Sequence, residues 1–421
     1  MESPEGLLAA LRSALDRLTR PPLALAAGAF LLGLSLLVVS THLVRLETPS
    51  ESRPESTGTG DFLAFWTGAV TLAEGRGHEL YDVDAQQRLQ RRILGGSPTY
   101  FQPYLNPPLL AVLLSALAPL GFLPAFYLYG LGSVLLLSLG LVLLVRALPH
   151  IRAEPLGTWT LLVLVLDYQP MLQTALVGQN SSTTFALLAA LTLALQRSWT
   201  WGAAGLLGLL TYKPQYAIGV GIALLMAGHW RVVAGGGALG VAHWLLGAWW
   251  CGLRWPLEML AFLGQAHPME QTFNEAYHFS WVRTADLLLS SPADSVAAVA
   301  GIALVLAVWW RFRELGRRGE GIWMALIVCG TLLASPHLQY YDAALLTLPA
   351  CLLVEDQLRA GQPVSVATRV LLAAAFFGYP AWKLGPVIGV QPLFFMLLGL
   401  AWWATRSCLD LERRETEPSR G

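Results

Sequence analysis

Apolar runs recur along almost the whole chain, and many are close to the ~20 residues that cross a bilayer core as a helix. Short polar or proline-containing breaks separate these runs and mark where one helix ends and the next begins. The pattern predicts twelve membrane spans, at residues 22–44, 122–146, 157–177, 182–196, 200–212, 214–229, 232–252, 293–310, 321–334, 341–355, 366–382 and 388–405. We therefore expect an all-α polytopic membrane protein with one transmembrane domain over residues 1–421.

The composition agrees with a chain that lies mostly in lipid. Of the 421 residues, 55% are hydrophobic and 13% are charged, whereas a soluble domain carries about 25% charged residues. The net charge is zero, so no basic field indicates a nucleic-acid partner. The four cysteines lie far apart and predict neither a disulfide framework nor a zinc site. The run at 22–44 lacks a small-residue cleavage site and is interpreted as a retained span.

The apolar segment 105–121 is ambiguous, and the basic residues orient the chain around it. If this segment does not cross the membrane, most of the 27 Lys and Arg residues fall on one side, which is then cytoplasmic. If it crosses, the cluster Arg311–Arg318 moves outside and the bias is lost. We therefore expect 105–121 to be an interfacial or re-entrant helix, with both termini cytoplasmic.

This topology places the unusual polar clusters on the outer face. They lie in a long first outer loop (45–121), in a second outer loop (253–292) and at three helix ends, while 406–421 is expected to be a cytoplasmic tail. In the first loop, apolar residues at 62, 65, 66, 69, 70 and 73 have helical spacing and predict a helix in the membrane surface. A second, polar helix is expected at about 83–94.

Two aspartates precede these helices. Asp61 and Asp82 both have the position of an N-cap, which stabilises a helix start by ~1 kcal/mol. For Asp61 a catalytic role is the alternative, and the two roles are compatible because a capping carboxylate keeps one oxygen free. For Asp82 the cap is the favoured interpretation.

Polar residues also mark other outer helix ends. Lys213 either extends its ammonium to the interface or contacts a phosphate, for which an ammonium is a compact donor. His337 is either a satisfied histidine at the membrane rim or a donor to a ligand. Gln179 and Asn180 have the alternative of capping the helix that starts near 182.

Two further groups carry weaker signals. Asp167 lies in the middle of a predicted span, so we expect it to face inward, to be paired and to have a structural role. Glu275, His278, Trp281 and Arg283 lie in the second outer loop, whose charged and aromatic content suits binding of an acceptor.

The polar motifs, taken in order, resemble those of glycosyltransferase family 87, which contains polyprenol-phosphate-mannose-dependent α-mannosyltransferases of actinobacterial lipid glycans. The motifs are Asp61-Phe62, Phe65-Trp66, Gly75, Leu80-Tyr81-Asp82, Gln86, Asn106-Pro107-Pro108, Gly178-Gln179-Asn180, Lys213-Pro214-Gln215, Ser335-Pro336-His337 and Asp342. Each motif alone is weak, but their shared order over about 61–345 is fairly specific. The resemblance implies a GT-C fold, a multi-span helical bundle with juxtamembrane helices in the first outer loop.

The resemblance also implies roles for individual residues. Asp61 matches the catalytic base of the first outer loop, and Lys213 and His337 match positions that contact the donor phosphate. Further substrate contacts are implied at Tyr81, Asn106, Gln179, Asn180, Gln215, Tyr341 and Asp342. This chain has Asp-Phe where many metal-using GT-C enzymes have Asp-Asp or Glu-Asp, so neither a metal nor another cofactor is expected.

The function implied is inverting transfer of a hexose, with mannose favoured, from a polyprenyl-phosphate sugar to a glycolipid or glycan acceptor at the outer face of the plasma membrane. The alternative is a secondary transporter or a flippase for lipid-linked sugars, because twelve spans with both termini inside is a common transporter plan. Transporters usually show internal repeats and broken helices that meet at the midplane, and the sequence shows no such repeat. A structural or assembly subunit would leave the outer motifs unexplained.

Overall fold

Helices build the described part of the chain. The computed structural model describes residues 60–94, 101–176, 178–274, 278–376 and 387–416, together with residues 26, 28, 29, 31, 33, 384 and 385. These residues form α-helices and 3₁₀-helices joined by turns, and no strand occurs among them. Most of the predicted span 22–44 and Glu275 lie outside the described residues.

The α-helices are numbered along the chain. Their bounds are α1 Phe62–Ala73, α2 Val83–Leu94, α3 Pro108–Ser115, α4 Phe122–Arg146, α5 Pro149–Ala153, α6 Gly157–Asp167, α7 Gln169–Leu176, α8 Ser181–Gln196, α9 Thr200–Leu209, α10 Pro214–Met226, α11 Trp230–Cys251, α12 Trp255–Asn274, α13 Trp281–Leu288, α14 Ala293–Arg311, α15 Arg313–Arg317, α16 Gly321–Ala334, α17 Thr347–Arg359, α18 Val366–Phe376 and α19 Pro392–Thr416. Short 3₁₀-helices lie at Gly77–Glu79, Ala118–Leu120, Leu210–Tyr212 and Tyr340–Leu346.

The helix bounds follow the predicted spans closely in places. The spans predicted at 122–146 and 321–334 have the same bounds as α4 and α16. The span predicted at 157–177 is instead two helices, α6 and α7, which meet at Tyr168. Pro170 explains this break, because proline lacks an N–H and its ring clashes with the carbonyl four residues earlier.

Four of the described helices are long and apolar enough to cross a membrane, namely α4, α11, α14 and α19. Shorter apolar helices of 10–17 residues accompany them, namely α1, α6, α8, α10 and α16. The protein is thus an all-helical membrane protein in its described part, and the count of twelve spans stays a prediction.

The ambiguous segment 105–121 contains a helix too short to cross a bilayer. Helix α3 has eight residues and is therefore ~12 Å long, against ~30 Å for the hydrocarbon core. A 3₁₀ turn follows, and Gly121, with a positive φ of 80°, then directly precedes α4. The interfacial or re-entrant position of the segment stays a prediction.

The segment predicted as a cytoplasmic tail, 406–421, is helical as far as Thr416 because α19 continues through it. Two arginines from other segments hold its end. Arg311 makes two bonds to Glu412, at 2.9 and 2.7 Å, and Arg318 makes two bonds to Glu415, at 2.8 and 2.9 Å. Exposed pairs of this kind contribute up to about 1 kcal/mol each.

Buried apolar side chains form two clusters. The larger cluster, the main core, includes Phe185 of α8 and Trp323 of α16 and draws on α4 to α11, α14 to α17 and α19. The smaller cluster, the loop core, includes Phe62 of α1, Tyr104 before α3 and Phe262 of α12. The first outer loop therefore has its own apolar centre beside the main bundle.

Helix α1 lies inside the loop core. All of its residues except Val70 and Ala73 are buried, so the expected arrangement, with one apolar face in the membrane surface, is not what the structure shows. The small Gly68 allows the close packing, because a Cβ atom there would lie 2.8 Å from the Tyr104 ring. On another side Phe62 packs edge-on against Phe126 of α4, with ring centroids 5.4 Å apart.

Two buried glutamines of α2 hold the extended segment before α3. The Gln86 amide donates to the Leu80 carbonyl at 2.7 Å and accepts from the Tyr104 N–H at 2.9 Å. One turn later, the Gln90 amide donates to the Gln102 carbonyl at 2.6 Å and accepts from the Gln102 N–H at 3.1 Å. These side chains replace the backbone partners that a strand would supply, and they fix residues 102–104 against the loop core.

We expect Gln90→Ala to lower the thermal unfolding temperature of the purified protein in detergent. The substitution leaves the buried N–H and C=O of Gln102 without these partners, and each such loss costs about 1–3 kcal/mol. Tryptophan fluorescence can follow the transition, since the chain has 16 Trp residues.

Gln87→Ala is the matched control, because half-buried Gln87 lies in the same helix and makes no side-chain hydrogen bond among the described residues. Equal unfolding temperatures for the two variants would contradict the proposed role of Gln90.

Candidate functional site

A cavity of about 780 Å³ lies between the main core and the loop core. Its lining comes from α1, the segment 101–107 and α12, from the starts of α8 and α10, and from residues around 336–342. The residues predicted for the site converge here with one exception, and those that line the cavity are Asp61, Asn106, Gln179, Asn180, Lys213, Gln215, His337, Tyr341 and Asp342. Their individual roles stay predictions.

Asp61 precedes α1 but its side chain makes no cap hydrogen bond. Its backbone is in the helical region, with φ −71° and ψ −9°, whereas an N-cap residue usually has extended angles. The carboxylate instead accepts a hydrogen bond from the Gln179 amide. The capping interpretation of Asp61 is therefore wrong, and its half-buried carboxylate belongs to the cavity.

Gly178 explains how Gln179 reaches Asp61. Gly178 has a positive φ of 67°, and a Cβ atom on it would lie 2.5 Å from the Cβ of Phe62. Only glycine allows both this backbone conformation and this close approach. The contact brings the next residue, Gln179, beside the residue that precedes Phe62, which is Asp61.

Asp82 shows the contrasting behaviour. Its carboxylate accepts from the N–H of Ala85 at 2.7 Å, the bond expected of a cap on α2. The side chain is exposed and does not line the cavity. The capping interpretation of Asp82 is confirmed.

Lys213 is buried, with 7% of its surface exposed, so the interpretation in which it extends to the interface is wrong. Its Nζ donates to Oδ1 of Asp342 at 3.2 Å and lies 5.4 Å from the centre of the Tyr216 ring. An ammonium has three N–H donors, and among the described residues only one of them is used in a hydrogen bond, to Asp342. The cavity thus contains a buried cation with donors to offer.

Asp342 is held from several sides. Its Oδ1 also accepts from the Ser181 hydroxyl at 3.1 Å, and its Oδ2 accepts from the Gln339 N–H at 3.2 Å. With Gln339 it forms a capping box at the start of the 3₁₀ turn Tyr340–Leu346. These bonds orient the carboxylate toward Lys213.

His337 is positioned by the second outer loop. Arg283 of α13 donates to the Pro336 carbonyl at 3.2 Å, and the His278 ring packs against the His337 ring with centroids 5.0 Å apart. His278 also accepts from the Leu338 N–H at 3.4 Å. The loop therefore fixes the segment 336–338 at the rim of the cavity.

Binding of an acceptor by the second outer loop stays a prediction, but the described residues singled out there differ in where they lie. His278 is buried against 337–339, and the Trp281 indole donates to the Ala297 carbonyl at 2.8 Å, so neither side chain lines the cavity. Arg283 does line it.

Gln102, Trp255 and Gln339 also line the cavity, although the sequence did not single them out. The charged and aromatic content of the second outer loop was a signal for Arg283, whereas Gln102 and Gln339 had none.

Tyr81 is the predicted site residue that lies outside the cavity. It is buried in the loop core, and its hydroxyl donates to the carbonyl of Asn106 at 2.9 Å. Burial raises the pKa of the Tyr81 hydroxyl, which keeps it protonated as a donor. Tyr81 therefore supports Asn106, which does line the cavity, from behind.

The other predicted interpretations resolve simply. Asn180 occupies the N-cap position of α8 but makes no cap bond with its side chain, so its capping interpretation is wrong. Asp167 is buried at the end of α6, as expected for an inward-facing residue. Among the described residues, no group of three or more His, Cys, Asp or Glu side chains could hold a metal ion.

Comparison with protein families finds a match that covers more than half of the chain. The model of glycosyltransferase family 87 matches residues 104–336. The matched region contains Asn106, Gln179 and Lys213, while Asp61 lies before it and His337 directly after it. No curated protein matches the chain.

We expect Lys213→Met to destabilise the protein by about 3–5 kcal/mol, because it leaves the Asp342 carboxylate buried without its cation. Adding Asp342→Asn should recover part of this loss, since an amide carries no charge, its oxygen can still accept from the Gln339 N–H, and its NH₂ can donate to the Ser181 hydroxyl. Thermal unfolding of the wild type, both single variants and the double variant measures the coupling. Losses that simply add would show that the two side chains do not interact in solution.

Proposed function

The chain belongs to glycosyltransferase family 87, and from this premise we propose that it moves a hexose from a polyprenyl-phosphate sugar to a glycolipid or glycan acceptor at the outer face of the plasma membrane. The family makes it a glycosyltransferase, with a sugar donor and an acceptor. Mannose as the sugar, the lipid phosphate and the outer face are parts of the proposal.

One observation supports it above the others. A carboxylate, Asp61, a buried ammonium, Lys213, and the imidazole of His337 line the same cavity. Transfer from a sugar phosphate needs these two kinds of group on either side of the anomeric carbon. A base must take a proton from the attacking hydroxyl, and donors must stabilise the departing phosphate.

In the proposed reaction, Asp61 accepts the proton of the acceptor hydroxyl, whose oxygen forms a bond to the anomeric carbon. The bond between that carbon and the phosphate oxygen breaks, and the electron pair leaves with the polyprenyl phosphate. A single displacement of this kind inverts the configuration at the anomeric carbon. Gln179 holds one oxygen of Asp61 and so orients the base.

Negative charge accumulates on the phosphate as the bond breaks. Lys213 and His337 would therefore bind the transition state more tightly than the ground state, which is the condition for acceleration. Asp342 orients the ammonium, and Tyr216 lies beside it.

The lipid part of the donor would lie along α12. Met259, Leu260 and Leu263 of this helix line the cavity, and Leu260 is 64% exposed. An exposed apolar wall beside the polar site suits a prenyl chain that stays in the membrane while its phosphate enters the cavity.

We expect Asp61→Asn to fold and to bind a polyprenyl-phosphate sugar but to lose transfer by about 10²–10⁴-fold, the usual contribution of a positioned base. The measurement is transfer of labelled mannose from polyprenyl-phosphate mannose by purified protein in proteoliposomes with a membrane glycolipid extract as acceptor. Donor-dependent thermal stabilisation reports binding separately.

Asp82→Asn is the control, because Asp82 also precedes a helix of the first loop but caps it away from the cavity, and Asn caps equally well. Wild-type turnover by Asp61→Asn would exclude Asp61 as the base. Movement of the lipid between leaflets without transfer would favour the flippase alternative.

The proposed outer face has its own test. We expect His78→Cys, at a residue whose side chain is 75% exposed in the first loop, to react with a membrane-impermeant maleimide on intact cells. Arg317→Cys, at a residue whose side chain is 58% exposed in the predicted cytoplasmic segment, should react only after permeabilisation. The native cysteines give little background because they are buried or half-buried. Labelling of position 78 only after permeabilisation would place the first loop inside.

A further inference from the structure

The side chain of Asn180 is buried and lacks partners within the described part of the protein. Only 2% of the residue is exposed, and it lines the cavity. Neither its Oδ1 nor its Nδ2 has a hydrogen-bond partner there. Buried polar atoms in proteins are nearly always bonded, so an amide with both ends unbonded at a cavity wall indicates a ligand that bonds to it.

The backbone of Asn180, in contrast, is held firmly. Its N–H donates to the Gln179 amide oxygen at 3.2 Å, and its carbonyl accepts from the Tyr212 hydroxyl at 3.0 Å and from the Thr183 N–H at 3.1 Å. The amide group is therefore presented from a fixed position rather than left loose by a mobile segment.

The neighbours of Asn180 place it between the two halves of the proposed chemistry. Gln179 bonds to Asp61 on one side. Ser181 bonds to Asp342, which bonds to Lys213, on the other. In a donor whose phosphate meets Lys213 while its anomeric carbon faces Asp61, the ring of the transferred sugar lies between these groups.

We propose that Asn180 recognises the transferred sugar by accepting a hydrogen bond from one hydroxyl of the hexose and donating one to the neighbouring hydroxyl. The inference rests on the proposed function, since it takes the lipid-phosphate sugar as the donor. An amide presents one acceptor and one donor side by side, which complements two adjacent hydroxyls, each able to donate and accept.

Two consequences separate this role from a structural one. Without ligand, the unbonded amide lowers the free energy of unfolding. An apolar residue of similar size should therefore not destabilise the protein and can raise its unfolding temperature. With ligand, the same substitution removes the bonds that recognise the sugar, and it leaves the phosphate and the lipid contacts unchanged.

The experiment compares two probes, polyprenyl-phosphate mannose and the same polyprenyl phosphate without sugar. The affinity of each is measured for the wild type, Asn180→Leu and Asn180→Ala in detergent or nanodiscs. We expect the wild type to bind the sugar-bearing lipid more tightly. In both variants this gain should fall by about tenfold to hundredfold, as for two lost neutral hydrogen bonds, while affinity for the bare lipid phosphate stays unchanged.

Gln357→Ala is the matched control. Gln357 is a buried amide whose two ends are bonded, to Thr368 at 2.7 Å and to the Ser365 N–H at 3.0 Å, away from the cavity. This variant should lower the unfolding temperature and keep the sugar-dependent gain, which is the reverse of the result expected for Asn180→Leu. Using both Leu and Ala at position 180 guards against poor fit of either one.

The possible results separate the role of Asn180 from the proposed function. Unchanged binding of the sugar-bearing lipid by both Asn180 variants would overturn this inference and leave the proposed function standing. Equal loss of affinity for the two lipids would also overturn it, because Asn180 would then serve the phosphate or the fold. If the wild type binds neither lipid, the proposed function fails, and the inference fails with it.

Discussion

The buried ion pair between Lys213 and Asp342 is the interaction on which the arrangement of the cavity depends. A charged group removed from water is costly unless it is paired and hydrogen-bonded. Asp342 supplies the opposite charge, and Ser181 and Gln339 satisfy further positions of its carboxylate. Because these residues come from the start of α8, the start of α10 and the turn near 340, one electrostatic requirement fixes three distant segments at one place.

The second constraint is steric and joins the loop core to the main core. Gly178 packs directly on Phe62 of α1, at a distance that no side chain would allow. This contact places Gln179 against Asp61, so the carboxylate of the first loop is held to the segment whose next residues lead to Asp342 and Lys213. The cavity is thus the space left where two apolar clusters meet through polar residues, which explains why its walls carry the reactive groups.

The sequence predicted the helix bounds that depend on neighbouring residues. Pro214 and the charge of Lys213 marked the boundary between α9 and α10, and the bounds of α4 and α16 follow from unbroken apolar runs. Asp61 and Asp82 show the limit of prediction from neighbouring residues. Both precede a helix of the same loop, yet only the Asp82 side chain caps its helix. The difference comes from Gln179, which is 118 residues away in the chain. Likewise, nothing near Tyr81 shows that its hydroxyl bonds to the Asn106 carbonyl rather than facing the cavity.

The three consecutive residues from 179 to 181 serve both the fold and the candidate site. Gln179 and Ser181 direct their side chains to Asp61 and Asp342, so both stabilise the protein without ligand. The side chain of Asn180, between them, bonds to neither aspartate. Leaving its buried polar atoms unpaired costs about 1–3 kcal/mol. Stability alone would favour an apolar residue there, as in the alanine and leucine run that follows in α8. The amide is therefore better explained by what the cavity binds than by what the fold requires.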